Sequence, residues 1–232
     1  MGVGSIETVR GARKERLREE MRGRIQAAAM ELFLAEGFEK TSMRRIAEAI
    51  GYTPGALYSY FEDKEDVLFA LQREGFARLR AALERVEAEP LSARDRLVRV
   101  GEEYLRFAFE NPQYYELLFI RSDVRNRIAQ EERWSEGLDT YDFLRRAVRA
   151  AMADGVIPGG DVEAVAFALW SHVHGTASLL LRGRCVMIPD EQLPALVTES
   201  FRWLNGAITA HAKPRPPARP RTRAPTRGKR GS

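Results

Sequence analysis

The stretch T-S-M-R-R-I-A-E-A-I-G-Y-T-P-G-A-L-Y-S-Y-F-E-D-K-E-D-V-L, Thr41 to Leu68, is the densest local pattern in the chain. Its first part reads as a short helix from about Ser42 to Ile50. Ile46, Ala47 and Ile50 fall on one face, with Arg44 and Arg45 on the other. Gly51 then permits a left-handed turn. A second short helix starts at Pro54 behind Thr53 and ends about Tyr60, with Leu57 and Phe61 as inward anchors. Just upstream, I-Q-A-A-A-M-E-L-F-L-A-E-G places Ile25, Ala28, Ala29, Leu32 and Phe33 on one face, and Gly37 ends that helix. Two short helices joined by a tight glycine turn form a helix-turn-helix, whose second member is slim and polar enough to enter a major groove.

Working outward, the remaining windows are helical and punctuated by breakers at Glu89-Pro90, Asn111-Pro112, Gly155 to Gly160 and Arg182 to Pro189. No sustained alternation signals a strand, so the spacing predicts an all-α chain of about nine helices. Ser92 and Asp63, each with an Asp three residues on, supply capping chemistry at two helix starts. The net charge of +4 is a sum of unlike parts: residues 1–64 carry 11 cations and 10 anions, 65–210 carry 18 and 23, and 211–232 carry 8 and none. The basicity therefore belongs mostly to the tail, whose five prolines and lack of large apolar side chains predict disorder. The opening dozen residues lack helical periodicity. The division expected is an arm and helix start over 1–21, the helix-turn-helix unit over 22–69, a larger helical unit over 70–210 and the basic tail over 211–232. One cysteine, Cys185, excludes an intrachain disulfide, and no signal-peptide core is present in the first 30 residues, so a cytoplasmic location is expected.

At Thr41 to Leu68 the sequence resembles the DNA-binding domain of the TetR family of bacterial repressors: a Thr-led helix two, an I-A pair, a Gly turn, G-x-L-Y-x-Y-F, and a Lys-Glu pair opening helix four. The resemblance implies double-stranded DNA with a palindromic operator as partner, a homodimer, and a small-molecule effector. It implies that Thr41 or Ser42, and Arg44, contact phosphates or the groove edge. Thr53, Pro54, Gly55, Ala56 and Ser59 would face base edges or nearby backbone, and Tyr58, Tyr60 and Lys64 would bond phosphates. Arg45, where an acid is common, and Pro54, where a polar residue is common, depart from the family habit.

The larger unit resembles that family more weakly. Asn111 to Phe119 and Trp170 to Gly175 look like a regulatory subclass named for a Trp-His-Gly signature. Ala164 to Leu181 is 18 uncharged residues, the length of a membrane span, but its two His, two Ser, Thr and Gly favour a buried helix, and no membrane partner is expected. A helix apolar all round needs partners on opposite sides. Val165, Leu169, Thr176 and Leu180 are one face for a second subunit, with Ala166, Trp170, His174 and Leu181 facing their own domain, or the reverse. With the final helix, Pro189 to Ala210, this would build the dimer interface that the resemblance implies. Trp170 and His174 share a face, whereas His172 and His174 point apart and cannot chelate one metal, so neither a metal site nor a cofactor is expected. Tyr104, Phe107, Tyr114, Tyr115, Phe119 and Trp134, with Trp170 and His174, are the candidate pocket residues for an apolar or aromatic effector. Two other readings compete: a nonspecific nucleic-acid binder driven by the tail, and a helical enzyme. The second has no G-x-S-x-G, H-E-x-x-H, phosphate loop or paired carboxylates to support it.

Overall fold

The computed structural model describes residues 3–121 and 135–210, and the described residues are helical throughout with no strand. In chain order the helices are α1 (Val3–Glu36), α2 (Met43–Ile50), α3 (Pro54–Leu57), α4 (Lys64–Ala88), α5 (Ala93–Glu110), α6 (Pro112–Tyr115), α7 (Ser135–Ala153), α8 (Val162–Leu181) and α9 (Leu193–Ala210). A π-helical turn, Glu116–Ile120, continues α6, and a 3-10 turn, Asp190–Gln192, precedes α9. The basic tail and Trp134 lie outside the described residues.

Helix α1 begins at Val3, within the dozen residues that showed no helical periodicity. No apolar stripe marks that half, and residues 10–20 are all exposed. Good helix formers and continuity with the packed half carry it, aided by an Arg16–Glu20 pair at 3.5 Å. From Ile25 onward the helix buries Ile25, Ala29, Met30 and Phe33. These meet Phe38, Met43, Ile46, Ala47, Leu57, Phe61, Val67, Leu68 and Leu71 in a first core. The expected anchors are thus in place, with Ile50 only partly buried.

A second, larger core joins α4, α5, α6, α7 and α8. Helix α4 belongs to both: Leu68 and Leu71 face the first core, and Phe76, Leu79, Leu83 and Val86 the second. The π-helical turn straddles the junction too, because Leu117 enters the first core and Leu118 the second. Gly75 lies at this crossing. A Cβ there would stand 2.9 Å from both Leu118 Cδ1 and Tyr114 Cδ1, so any larger residue would have to push these two side chains aside. Arg182 pairs with Glu116 at 2.7 Å, and Arg121 donates to the Leu34 carbonyl at 3.3 Å, tying the turn to α8 on one side and α1 on the other.

Helix α8 is long and apolar enough by composition to cross a membrane, yet it packs against α5 and α7 and buries Ala166, Val173 and Ala177. Its opposite face is bare.

Candidate nucleic-acid interface and effector cavity

Short-range chemistry sets the helix-turn-helix. The Ser42 hydroxyl caps α2 by accepting from the Arg45 N–H at 3.2 Å. Gly51, at φ 73°, ends the helix, and the Tyr52 N–H reaches back to the Ala47 carbonyl at 2.9 Å. A residue with a Cβ would be strained at that φ. Helix α3 is a single turn capped by Thr53, whose side chain makes no capping bond. The Arg22 guanidinium lies 4.0 Å over the Phe61 ring and donates to the Tyr60 carbonyl, which fixes the end of α3 against α1.

Most of the expected contact set is open to solvent. Ser42, Arg44, Thr53, Pro54, Gly55, Tyr58 and Ser59 are exposed, and Ala56 and Tyr60 are half-buried. Ser59 donates its proton to the Ala56 carbonyl at 2.7 Å, which leaves only its lone pairs for an incoming donor. Arg44 is paired with Glu48 at 2.9 Å, and the departing Arg45 has a structural use, bridging Glu36 at 2.6 Å to hold α2 against the end of α1.

Two expected phosphate contacts are corrected. Thr41 is buried, and its hydroxyl donates to the Gly37 carbonyl at 2.9 Å. Lys64 directs its ammonium at the carbonyls of Phe38 (2.8 Å), Thr41 (3.0 Å) and Glu39 (3.4 Å), and stands 4.4 Å over the Phe38 ring. Its three protons are consumed in stapling the α1–α2 turn to the start of α4. Lys64→Met should therefore cost about 1–3 kcal/mol of stability, because charge-assisted bonds are lost and carbonyls left unpaired. Denaturant unfolding tests this. A variant as stable as the parent, with only a shallower salt dependence of DNA binding, would restore the phosphate role.

The sequence reading also missed a face. Arg10, Arg13, Lys14 and Arg18 line a groove on α1 that is closed by Ser59 and Tyr60 at the end of α3. Their spacing of three and four residues was the available signal, but the stretch over 1–21 was expected only as an arm and the start of a helix, with no binding face.

Within the larger core lies a cavity of about 330 Å³, in the range of small-molecule pockets. Tyr104, Phe119 and Trp170 line it as expected, and it is completed by Phe76, Tyr141, His172 and Phe201 together with aliphatic side chains from five helices. His174 stands behind the wall: its Nδ1 shares hydrogen bonds with the Tyr104 hydroxyl at 3.0 Å and the Tyr115 hydroxyl at 3.2 Å, and the Tyr115 hydroxyl donates to its carbonyl at 3.1 Å. Burial pushes both phenols up, Tyr115 to about 12, and pushes His174 down from the usual imidazole value. All three are neutral at neutral pH, and the imidazole is a hydrogen-bonded core residue. Four expected pocket residues are corrected. Tyr115 and His174 do not line the cavity. Phe107 is core packing, and Tyr114 wedges between α4 and α6, where the Arg78 guanidinium covers its ring at 4.9 Å.

Comparison with known proteins matches both units. Residues 25–71 match the description "Bacterial regulatory proteins, tetR family", and residues 97–208 a tetracyclin repressor-like C-terminal domain. A probable HTH-type transcriptional regulator, ArpR of Pseudomonas putida, is 30% identical over 198 residues, spanning 82% of this chain and 90% of that protein.

The chain belongs to the TetR family.

A second relative, the HTH-type transcriptional regulator TtgR of Pseudomonas putida, is also 30% identical with the same coverage. The HTH-type transcriptional repressor AcnR of Corynebacterium efficiens is 32% identical over 133 residues, which span 57% of this chain and 64% of that protein. Among solved structures, a regulatory protein of the TetR family from Rhodococcus RHA1 superimposes with a TM-score of 0.65 at 23% identity, covering 81% of this chain and 96% of that one. That likeness shows the fold. The family members are transcriptional regulators, and the chain is a regulator rather than an enzyme. The narrower Trp-His-Gly likeness remains at two short strings, Asn111 to Phe119 and Trp170 to Gly175.

Proposed function

We propose that this TetR-family protein is a cytoplasmic repressor that grips a palindromic operator as a homodimer and lets go when a small apolar or aromatic molecule enters the cavity between α4, α5, α7, α8 and α9. The observation that carries the reading is the continuity of α4, one rigid helix packed into the helix-turn-helix core at one end and lining the cavity with Phe76 and Leu83 at the other. A displacement at the cavity reaches α3 without an intermediate joint. A ligand that binds the DNA-incompetent form ~100-fold better supplies about 2.7 kcal/mol of coupling, and operator DNA weakens its binding by the same factor.

The bare face of α8 supports the dimer. Phe167 is 59% and Leu179 50% exposed, with Ser171 and Gly175 between them at four-residue spacing, and on α9 Leu196 is 47% and Trp203 74% exposed. This outward stripe replaces the expected one: Val165, Leu169, Thr176 and Leu180 are half-buried, and Leu181 is exposed where an inward position was expected. A two-fold dimer sets its recognition helices about one DNA turn, ~34–36 Å, apart, which requires an imperfect palindrome. Footprinting on genomic fragments tests this: protection of two half-sites supports it, and protection without sequence preference would give the protein back to nonspecific binding.

In the same reading, the α1 cations reach phosphates flanking each half-site. Replacing Arg10, Arg13, Lys14 and Arg18 together by Ala should weaken operator and nonspecific DNA alike and reduce the salt slope by about 0.9 for each phosphate no longer neutralised. An unchanged slope would leave these residues as a solvated face. By contrast, Ala56 and Thr53 substitutions should change which bases are preferred.

A further inference from the structure

The single chain leaves one side of the cavity open. Two of its lining residues, Leu138 on α7 and Phe167 on α8, are 58% and 59% exposed, while Gly137, Thr140 and Val173, which also line it, are buried. Side chains that line a cavity and also face water mark its mouth. Tyr141 and Trp170, both half-buried, complete the rim: the Trp170 ring packs edge-to-face with Phe167 and with Tyr141, at 6.2 Å between centroids in each case. Phe167 also heads the outward stripe of α8, which runs on through Ser171 to Leu179. That stripe, with Leu196 and Trp203 of α9, is the face proposed to meet a second subunit.

We propose that the partner subunit seats over this mouth in the homodimer and supplies the missing wall of the cavity, so that dimerisation and the binding of an apolar molecule stabilise one another. This deepens the effector and dimer reading and rests on it. Phe167 is the shared element, because its ring belongs to the cavity lining and to the subunit-facing stripe at once. A second copy of the chain is the occupant that fits. Helix α8 carries no charged residue from Ala164 to Leu181, so a copy related by a two-fold axis meets it without like-charge repulsion, and a charged partner finds no counter-ion on it. In a lone chain, a bound molecule keeps the part of its surface that lies at the mouth in water. Covering that part adds apolar burial to the binding free energy. Any molecule that binds the dimer better than the monomer shifts the equilibrium toward the dimer, by the same factor for each site.

N-phenyl-1-naphthylamine, an uncharged three-ring fluorophore that brightens on leaving water, tests the linkage on the full-length protein without DNA. Sedimentation fixes the concentrations at which the parent is dimeric and monomeric, and the probe is titrated in both ranges. Binding should be about tenfold or more tighter to the dimer, and saturating probe should tighten the dimer about 100-fold, tenfold for each of its two cavities. Leu179→Glu combined with Trp203→Glu provides a second arm, since both residues are exposed and neither lines the cavity. That variant should be monomeric and bind the probe as weakly as the diluted parent does. Equal affinity in the two ranges, a dimer no tighter with the probe, or no binding by the dimer would overturn the proposal. A double variant that stays dimeric removes the α8–α9 face, and this proposal with it. A monomeric variant that binds the probe as tightly as the parent dimer removes this proposal alone. Operator release is read separately by adding the probe to the protein–DNA complex. Probe-tightened dimers that keep hold of the operator retain the shared cavity and lose its role as the effector switch.

Discussion

Phe167→Glu combined with Leu179→Glu should leave the protein monomeric and lower operator affinity by about two to four orders of magnitude. The size of the effect comes from linkage. In a dimer, binding one half-site places the second recognition helix at high effective concentration over the other, and that gain, ~10²–10⁴, disappears when the subunits part. Both side chains are about half exposed in the single chain, so the substitutions should leave the fold close to its parental stability. In a two-fold interface each new carboxylate would be buried close to its symmetry mate, with no cation to answer it. Light scattering and operator titration on one sample decide the matter. A dimer that persists at micromolar concentration, or a monomer that holds the operator as tightly as before, would overturn the assignment of this face. Trp203→Glu on α9 should act in the same direction, because its ring is the most exposed aromatic on that helix.

Leu117→Ala should cost about 2–5 kcal/mol, the ordinary cost of truncating a fully buried leucine, and the damage should appear in the unit that Leu117 does not belong to by sequence. Leu117 is 1% exposed and sits among Ile46, Leu57, Leu68 and Leu71 in the helix-turn-helix core, while its chain neighbour Leu118 packs in the larger core. Hydrogen exchange should therefore show loss of protection around α2 and α3 in Leu117→Ala, and around α5 and α6 in Leu118→Ala. If the two variants loosen the same region, or if Leu117→Ala costs under about 1 kcal/mol, the π-helical turn does not link the two cores as described.

The elements legible in the sequence were those fixed by neighbours along the chain. Ser42 capping α2, Gly51 ending it at positive φ, and the inward set Ile46, Ala47, Leu57 and Phe61 all depend on contacts within a few residues. What escaped depends on partners far along the chain. The role of Lys64 is set by carbonyls more than twenty residues away, gathered only when the turn after Gly37 closes. Cavity residues such as Tyr141, His172 and Phe201 come from three helices whose relative rotation leaves no local trace. Helix α8 hid its outward face for another reason: a helix apolar all round has no preferred side to read. Its stripe emerges only once α5 and α7 have claimed the other positions.

The π-helical turn at Glu116–Ile120 has a consequence for how the chain can vary. Its extra residue is closed by the bond from the Arg121 N–H to the Glu116 carbonyl at 3.0 Å. Deleting or adding one residue there would rotate the downstream chain by about 100°, and Leu117 and Leu118 would exchange or lose their separate destinations. Side chains in the turn can therefore drift among apolar types of similar size, whereas its length cannot drift at all. Across relatives that keep this junction, gaps in an alignment should fall on either side of these five residues and never within them.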